Sequence, residues 1–477
     1  MNRMLKFAMA AVIALMSGSA QAQVTGRTVL DANTNLWQPN GPYSNATSAL
    51  TGTFHAGGVA ACDGCHVMHN ASNGKIRSTK VAPWTDAVPA FLLQGSDQSS
   101  TCLMCHGGKG SAANSYIMTD TTQTVAGLNY TPGGDFGWLR IYMGGAGIAA
   151  ENYRGHNVAA ADFGFTAEAN RIAPGGTYSG SGSGASQFAC SNCHDPHGRY
   201  RMQGVSATNW TWAGPTGTGL ATITQPIYAS GSYGMLPTAT EATGSYRLLA
   251  GRGYVPASSI ATPFPFPNNP PVAVAPPQYN KTEGLAPSTQ VRVAYGSGMS
   301  EWCQNCHTNI HLDNYVSGAM GSSGLRHPAG QGALLKPGQY DVYNKYVSSG
   351  KFSGTGDLYT SLVPFESAGK VAYDGNGGTT ADITKLASAA NGSDTAGIFI
   401  ASAQSNVMCL SCHRAHASAF VAMVRWNPDD TFLTNATQFV DTQGRGVDGL
   451  TAGYYGRQPS DLGAFQRSLC NKCHGKD

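Results

Sequence analysis

Cys62-Asp63-Gly64-Cys65-His66 is a Cys-x-x-Cys-His motif, and the same pattern returns five more times. It recurs with Cys102, Cys105 and His106; Cys190, Cys193 and His194; Cys303, Cys306 and His307; Cys409, Cys412 and His413; and Cys470, Cys473 and His474. The six copies use all 12 cysteines, so none remains for a disulfide, a thiolate nucleophile or a separate zinc site.

The spacing has a physical reason. Two cysteines three apart lie on one side of a helical turn, where both thiols can add to the two vinyl groups of one porphyrin. The histidine that follows is then held under the iron as its proximal ligand. A zinc ribbon or a thioredoxin-like pair is the competing reading. Paired Cys-x-x-Cys motifs would supply four zinc ligands, but zinc does not account for a histidine in the fifth position of all six copies. The chain therefore reads as a carrier of six covalently attached c-type haems.

Residues 1–22 have the form of a secretory signal peptide: a basic start at Arg3 and Lys6, an apolar run at 7–16 too short to span a bilayer, and Ala20-Gln21-Ala22 as a small-x-small cleavage site. Export agrees with the motifs, because haem is attached to them outside the cytoplasmic membrane. The first cysteine stands at 62, far from that cleavage site, which argues against a lipid anchor, and no later stretch is apolar enough to cross a membrane. Localisation is thus expected to be extracellular or at the outer cell surface, with the periplasm as the alternative.

Composition bounds the fold. Only 12% of residues are charged and 61 are glycine, which disfavours long amphipathic helices and ordinary sheets. Six flat apolar macrocycles would supply core that the side chains do not. The expected fold class is mostly irregular coil with short helices, a multihaem c-type cytochrome fold organised around a chain of six haems. Residues 23–53 read as an N-terminal arm rich in turn formers, and 54–477 as a single hexahaem domain. The uneven intervals between motifs exclude a tandem solenoid. Loop signals fall at 179–184, where Ser and Gly alternate, and at the proline-rich 263–277, read as polyproline II. Helices are expected at each motif, at 340–347 and at 460–469.

The formal charge of +3 falls to +1 once Arg3 and Lys6 leave with the signal peptide. Haem propionates would turn that sum anionic, so the basic pI of the bare chain gives no reason to expect nucleic-acid binding.

Seven histidines stand outside the motifs: His55, His69, His156, His197, His311, His327 and His416. Six irons need six distal ligands, so the count permits bis-histidine ligation throughout, with one histidine spare. His69, His197 and His416 each lie three residues after a motif histidine, and His311 lies four after one. On a continuing turn such pairs share a face, so the second histidine cannot wrap round to the far side of the same haem and must serve another. Met68, Met104, Met299 and Met408, the competing axial ligands, read as packing.

The stretches FHAGGVAACDGCHVMHN at 54–70, LLQGSDQSSTCLMCH at 92–106, TPGGDFGW at 131–138, CSNCHDPHGRY at 190–200, YGSGMSEWCQNCHTNIH at 295–311, LRHPAG at 325–330, CLSCHRAHASAF at 409–420 and QRSLCNKCHGKD at 466–477 closely resemble one family. It is the extracellular cytochrome-nanowire family of outer-surface hexahaem cytochromes from metal-reducing bacteria. The resemblance implies polymerisation head to tail into filaments, with haems in alternating stacked and T-shaped contacts running through the subunits. It also implies that His69 ligates the haem on Cys409, Cys412 and His413 of the adjacent subunit. Implied partners are periplasmic or outer-membrane cytochrome donors and, as acceptors, extracellular metal oxides or electrodes. The chain departs from the family at its start, where the relative's mature chain begins near the residue matching Phe54.

The function expected is electron transfer without bond-making, hence not an enzyme. A soluble periplasmic shuttle is the alternative, and a multihaem oxidoreductase the third reading. Such an enzyme needs an open iron position, often marked by an atypical motif such as Cys-x-x-Cys-Lys, and no such motif is present.

Overall fold

The computed structural model describes residues 28–31, 36–39, 65–66, 71–72, 75–76, 92–93, 95–108, 117–119, 129–139, 154–165, 181–182, 186–197, 201–204, 210–212, 227–230, 242–244, 248–256, 265–274, 293–307, 327–330, 332–349, 363–367, 380–390, 397 and 400–473. The expected signal peptide, Cys62, His55, His69, His311 and His474 lie outside the described residues.

Regular structure is sparse and short, as the glycine content and low charge predict. The helices are α1 (Gln98–His106), α2 (Met299–Cys303), α3 (Pro337–Ser349), α4 (Thr380–Ala390), α5 (Cys409–Cys412), α6 (Gly446–Gly453), α7 (Pro459–Leu462) and α8 (Leu469–Cys473). Four of them, α1, α2, α5 and α8, carry motif cysteines. The third motif instead forms a 3-10 turn, Cys190–Asn192.

The helix expected at 340–347 is contained in α3, which starts with Pro337 at a position where a missing N–H costs nothing. The one expected at 460–469 is broken in two. Gly463 takes φ 84° and ends α7 after a single turn, and Phe465 at φ 53° keeps the chain from resuming until Leu469. At the start of α7 Gln458 precedes Pro459, and the Gln458 N–H donates to Asp461 Oδ2 at 2.7 Å.

Two four-stranded sheets are built from very short strands. One has the order 210–212, 201–204, 242–244, 227–230 and follows the third motif. The other is β1 (Ala273–Val274), β2 (Ala294–Tyr295), β3 (Glu366–Ser367) and β4 (Ser405–Asn406), paired antiparallel, parallel and antiparallel in that order. Every residue of this second sheet is buried. Its chain exits explain its value: β2 leads into the fourth motif and β4 into the fifth, so the sheet sets those two attachment points side by side. Two loop expectations yield small ribbons. Ser181–Gly182 pairs with Ser186–Gln187, and the proline-rich stretch ends in β1. Within the arm, Thr28–Asp31 pairs with Leu36–Pro39.

Side chains contribute more core than composition alone suggests. Trp138, Tyr343, Phe365, Phe420, Trp426, Leu433 and Tyr454 pack as one buried cluster, with Cys412 and Cys473 against it. Met299 and Met408 are buried with Leu249, Val293 and Tyr295, so these two methionines do pack as expected.

The segment 131–138 shows how irregular backbone is held. Asp135 is 1% exposed and accepts from the backbone N–H groups of Thr119 (2.7 Å), Asn129 (3.1 Å) and Gly137 (2.7 Å), from Asn129 Nδ2 (2.9 Å) and from the Thr119 hydroxyl. Beside it Gly134 sits at φ 93°, where a Cβ would meet the Ala417 carbonyl oxygen at 1.8 Å, so no other residue fits. Asp135→Ala strands several buried donors at once. It is expected to lower unfolding stability by on the order of 3 kcal/mol or more, read as a reduced denaturation midpoint in a urea titration of the holoprotein.

Candidate haem-binding site

Each motif is held by a local hydrogen-bond frame. Asp97 caps α1, its carboxylate taking Ser100 N at 2.7 Å, and the helix then carries Cys102 and His106. In the later motifs the residue before the second cysteine turns inward. Asn192, Asn305 and Ser411 are each 1% exposed. Asn192 Oδ1 accepts from Ala189 N at 2.9 Å, Asn305 clamps the backbone of Asn268 from both sides, and the Ser411 hydroxyl donates to Pro364 O at 2.6 Å. The motif histidines follow directly, with His194, His307 and His413 donating their N–H to the carbonyl of the first cysteine at 3.0, 3.0 and 2.9 Å.

The motifs also touch one another in sequence order. Cys65 lies within electrostatic reach of Cys102, whose thiol donates to Cys190. Cys193 neighbours Cys306, the Cys303 thiol donates to Cys409, and Cys412 faces Cys470 and Cys473. Backbone joins reinforce two of these steps: Cys190 N donates to Ser99 Oγ, and Cys409 N to Ser300 Oγ, each at 3.1 Å. The attachment points therefore run in single file from the first motif to the sixth. None of the described cysteines is in a disulfide. Burial pushes the Cys306 thiol up to about 11 and Cys412 up to about 12, the reverse of the depressed pKa that marks a nucleophilic thiolate.

Four of the seven non-motif histidines are described, and three of them each face one motif histidine. Ring centres are 6.4 Å apart for His66 and His197, 6.3 Å for His194 and His416, and 6.1 Å for His307 and His156. The interplanar angles are 8°, 55° and 59°. Two imidazoles bound through Nε2 on opposite faces of one iron place their ring centres about 6.2 Å apart, from two metal–nitrogen bonds of about 2.0 Å and about 1.1 Å inside each ring. The observed spacings fit that requirement. Neither His197 nor His416 faces the histidine of its own motif.

Orientation is fixed by the other ring nitrogen. His156 Nδ1 lies 2.6 Å from Ala415 O and His413 Nδ1 2.8 Å from Ala422 O, which assigns the proton to Nδ1 and leaves Nε2 as the coordinating atom. His416 is placed by packing instead: its ring is buried against Phe136, with ring centres 4.7 Å apart, and its backbone N–H donates to Gly133 O at 2.6 Å. Burial, and then His194 nearby, push its pKa down to about 3, so the imidazole is neutral as a ligand must be. His327 hydrogen-bonds Pro328 O through Nδ1 at 2.8 Å and is exposed.

No protein-family profile matches the chain. The chain is 44% identical over 450 residues to the C-type cytochrome OmcS of Geobacter sulfurreducens, a match covering 89% of this chain and 94% of that one. It belongs to the OmcS family of c-type cytochromes. Two solved OmcS structures agree. The cryo-EM structure of OmcS nanowires superposes with a TM-score of 0.69 at 41% identity, and that of the outer-membrane cytochrome S filament with 0.68 at 40%. Each match covers 89% of this chain and 100% of that one. As an OmcS-type cytochrome, this chain is an electron-transfer protein with covalently bound haem c. No helix of the described residues is long and apolar enough to cross a membrane.

Sequence reasoning missed the supporting layer of this OmcS-type site. Gly133, whose carbonyl takes the His416 backbone N–H, and Asp135, whose N–H donates to Ala417 O, stand in the conspicuous TPGGDFGW stretch. The inward residue before the second cysteine is small and polar in the third, fourth and fifth motifs, a repeat visible in the sequence. The buried arginines Arg154, Arg414, Arg425, Arg445 and Arg457 carried no such signal.

Proposed function

We propose that this chain carries electrons outside the cell through six bis-histidine haems, and that it polymerises head to tail into filaments that deliver them to extracellular acceptors. The observation that carries this reading is the match of the chain to the whole subunit of OmcS nanowires. The three imidazole pairs supply the independent support.

When bound, each haem supplies a one-electron ferric/ferrous couple. The cysteine pairs would fix each haem covalently to its place in the file, and the paired histidines would hold its iron from both sides. Since both ligands stay in place, little reorganisation accompanies a change of charge, and no position is left open for a substrate. In this assignment His197 serves the first-motif iron, His416 the third and His156 the fourth. His106, His413 and His474 are then left to draw on His55, His69, His311 and His327, one of which is spare. The family resemblance gives His69 to the fifth-motif iron of the next subunit. Assembly and ligation are then one event, a heterologous contact that propagates.

The test is electron microscopy of extracellular material sheared from expressing cells, with haem staining. Haem-positive filaments are the expected result. Monomers alone, with all haem in the periplasmic fraction, would make the protein a shuttle and end the filament reading.

A further inference from the structure

Glu366 is fully buried on β3, where a carboxylate charge is costly. Its Oε2 accepts from the backbone N–H groups of Gly298 and Met299 at 3.2 and 3.3 Å, but its Oε1 has no donor among the described residues. Asn406 on β4 is its antiparallel register partner, so the two side chains stand on one face of the sheet. Asn406 Oδ1 is buried too, again with no donor among the described residues. Two neighbouring acceptors thus lack one proton between them. Protonation of Glu366 supplies it, because a carboxylic acid carries an O–H donor where a carboxylate only accepts.

The surroundings of Glu366 favour the neutral acid. Glu301 of α2 and Cys409 of α5 act on it, and both are acids. Burial, and then Glu301, hold the Glu366 pKa well above the usual carboxylate range. Haem attachment removes the Cys409 thiol from this set and leaves Glu301. Tyr295, its register partner on β2, brings a phenol rather than a cation. The segment 327–330 packs Gly330 against Glu301, and its His327 is exposed. Helix α4 packs across β1 and β2, and its Lys385 is exposed. Among the described residues no third acid, histidine or cysteine joins the two carboxylates in a metal-holding group, so the missing positive charge suits a proton. The place is the junction of two attachment points. Ser300 Oγ, in the turn that Glu366 holds, accepts from Cys409 N at 3.1 Å, and Pro364 O accepts from the Ser411 hydroxyl at 2.6 Å. The same turn opens α2, which carries Cys303.

We infer that Glu366 takes up a proton when the haem on the fourth or fifth motif is reduced, which makes this chain a proton-coupled electron carrier at that point of the file. The inference rests on the haem reading above. One electron reaches the ferric iron along the file, and one proton from solvent passes the half-buried Glu301 and adds to Glu366 Oε1. Reoxidation releases both. The proton cancels the negative charge that the electron brings, and no iron ligand changes.

The test is a potentiometric titration of the full holoprotein over a range of pH, with haem counted by its pyridine complex and infrared difference spectra taken on reduction. Where Glu366 titrates, one one-electron step should become up to about tenfold less favourable for each unit rise in pH, a fall of about 59 mV. Glu366→Gln, which keeps the shape of the protonated acid, should hold that step at its low-pH potential. It should also remove one carboxylic-acid band from the reduced-minus-oxidised spectrum. Glu301→Gln should keep the dependence but move it to lower pH, because the negative neighbour is gone. Calcium chloride added to the wild type should leave the step unmoved. A step that follows calcium would make the two carboxylates a cation site and overturn the proton assignment. A Glu366→Gln protein with six haems and the wild-type pH dependence would overturn this inference alone. If that variant loses haem, Glu301→Gln decides, and an unmoved profile there overturns the inference. Fewer than six haems in the wild type would instead overturn the haem reading itself.

Discussion

His416→Ala should leave all six haems attached and open one iron. The reduced protein is expected to go from binding no carbon monoxide to binding one equivalent, and the ferric protein to gain a high-spin signal. The His416 ring stands 6.3 Å from that of His194, where an imidazole trans to it across one iron would be. The ring is held by packing, with the Phe136 ring centre 4.7 Å away and Gly133 so close that a Cβ there would meet the His416 Nδ1 at 2.8 Å. Nor is a substitute at hand, since His156 is turned to His307 and tied by Nδ1 to Ala415 O at 2.6 Å. His416→Met should instead keep the iron six-coordinate and raise one potential, because a thioether favours the reduced metal. A His416→Ala protein that binds no carbon monoxide would mean that the His194 iron takes its sixth ligand from another residue.

How much of this was legible in the sequence follows from the range of each constraint. Covalent attachment acts over five residues, so its signature is complete in the motif and all six copies are readable from the sequence. The rule that a histidine three residues on must leave its own haem is also local, and in the structure His197 and His416 each face the histidine of another motif. Which motif histidine each one faces is set by contacts hundreds of residues apart, such as the His156 backbone N–H donating to His416 O at 3.0 Å, and no periodicity encodes them. Helix ends failed for a related reason. The apolar spacing at 460–469 is genuine, but the chain must turn at Gly463 to bring Leu469–Cys473 alongside α3. A tertiary demand of that kind outweighs spacing. Composition misled on the core, because seven well-placed aromatic and aliphatic side chains near the fifth and sixth motifs pack densely in a chain whose average is diffuse.

His69→Ala is the complementary experiment and has the larger consequence: filaments should be lost altogether while six haems remain attached. The three imidazole pairs assigned above lie within one subunit and use His156, His197 and His416. His413 has its Nδ1 bound to Ala422 O at 2.8 Å and so leaves Nε2 for an iron, and in the function proposed above the ligand opposite it comes from the neighbouring chain. His69 follows His66 by three residues; on a continuing turn it would share that face and be kept from the first-motif iron, which leaves it for that role. Without it each subunit loses a metal bond to the next, and an interface that propagates has no partial state in which to persist. Electron microscopy should then show haem-positive particles without filaments, and added imidazole should restore the low-spin iron without restoring assembly. The contrast with His416→Ala makes the pair decisive. Each variant opens one iron, but only the ligand that crosses between subunits should cost the filament. Normal filaments from His69→Ala, or their loss from a folded His416→Ala protein, would reverse which of the two histidines joins the subunits.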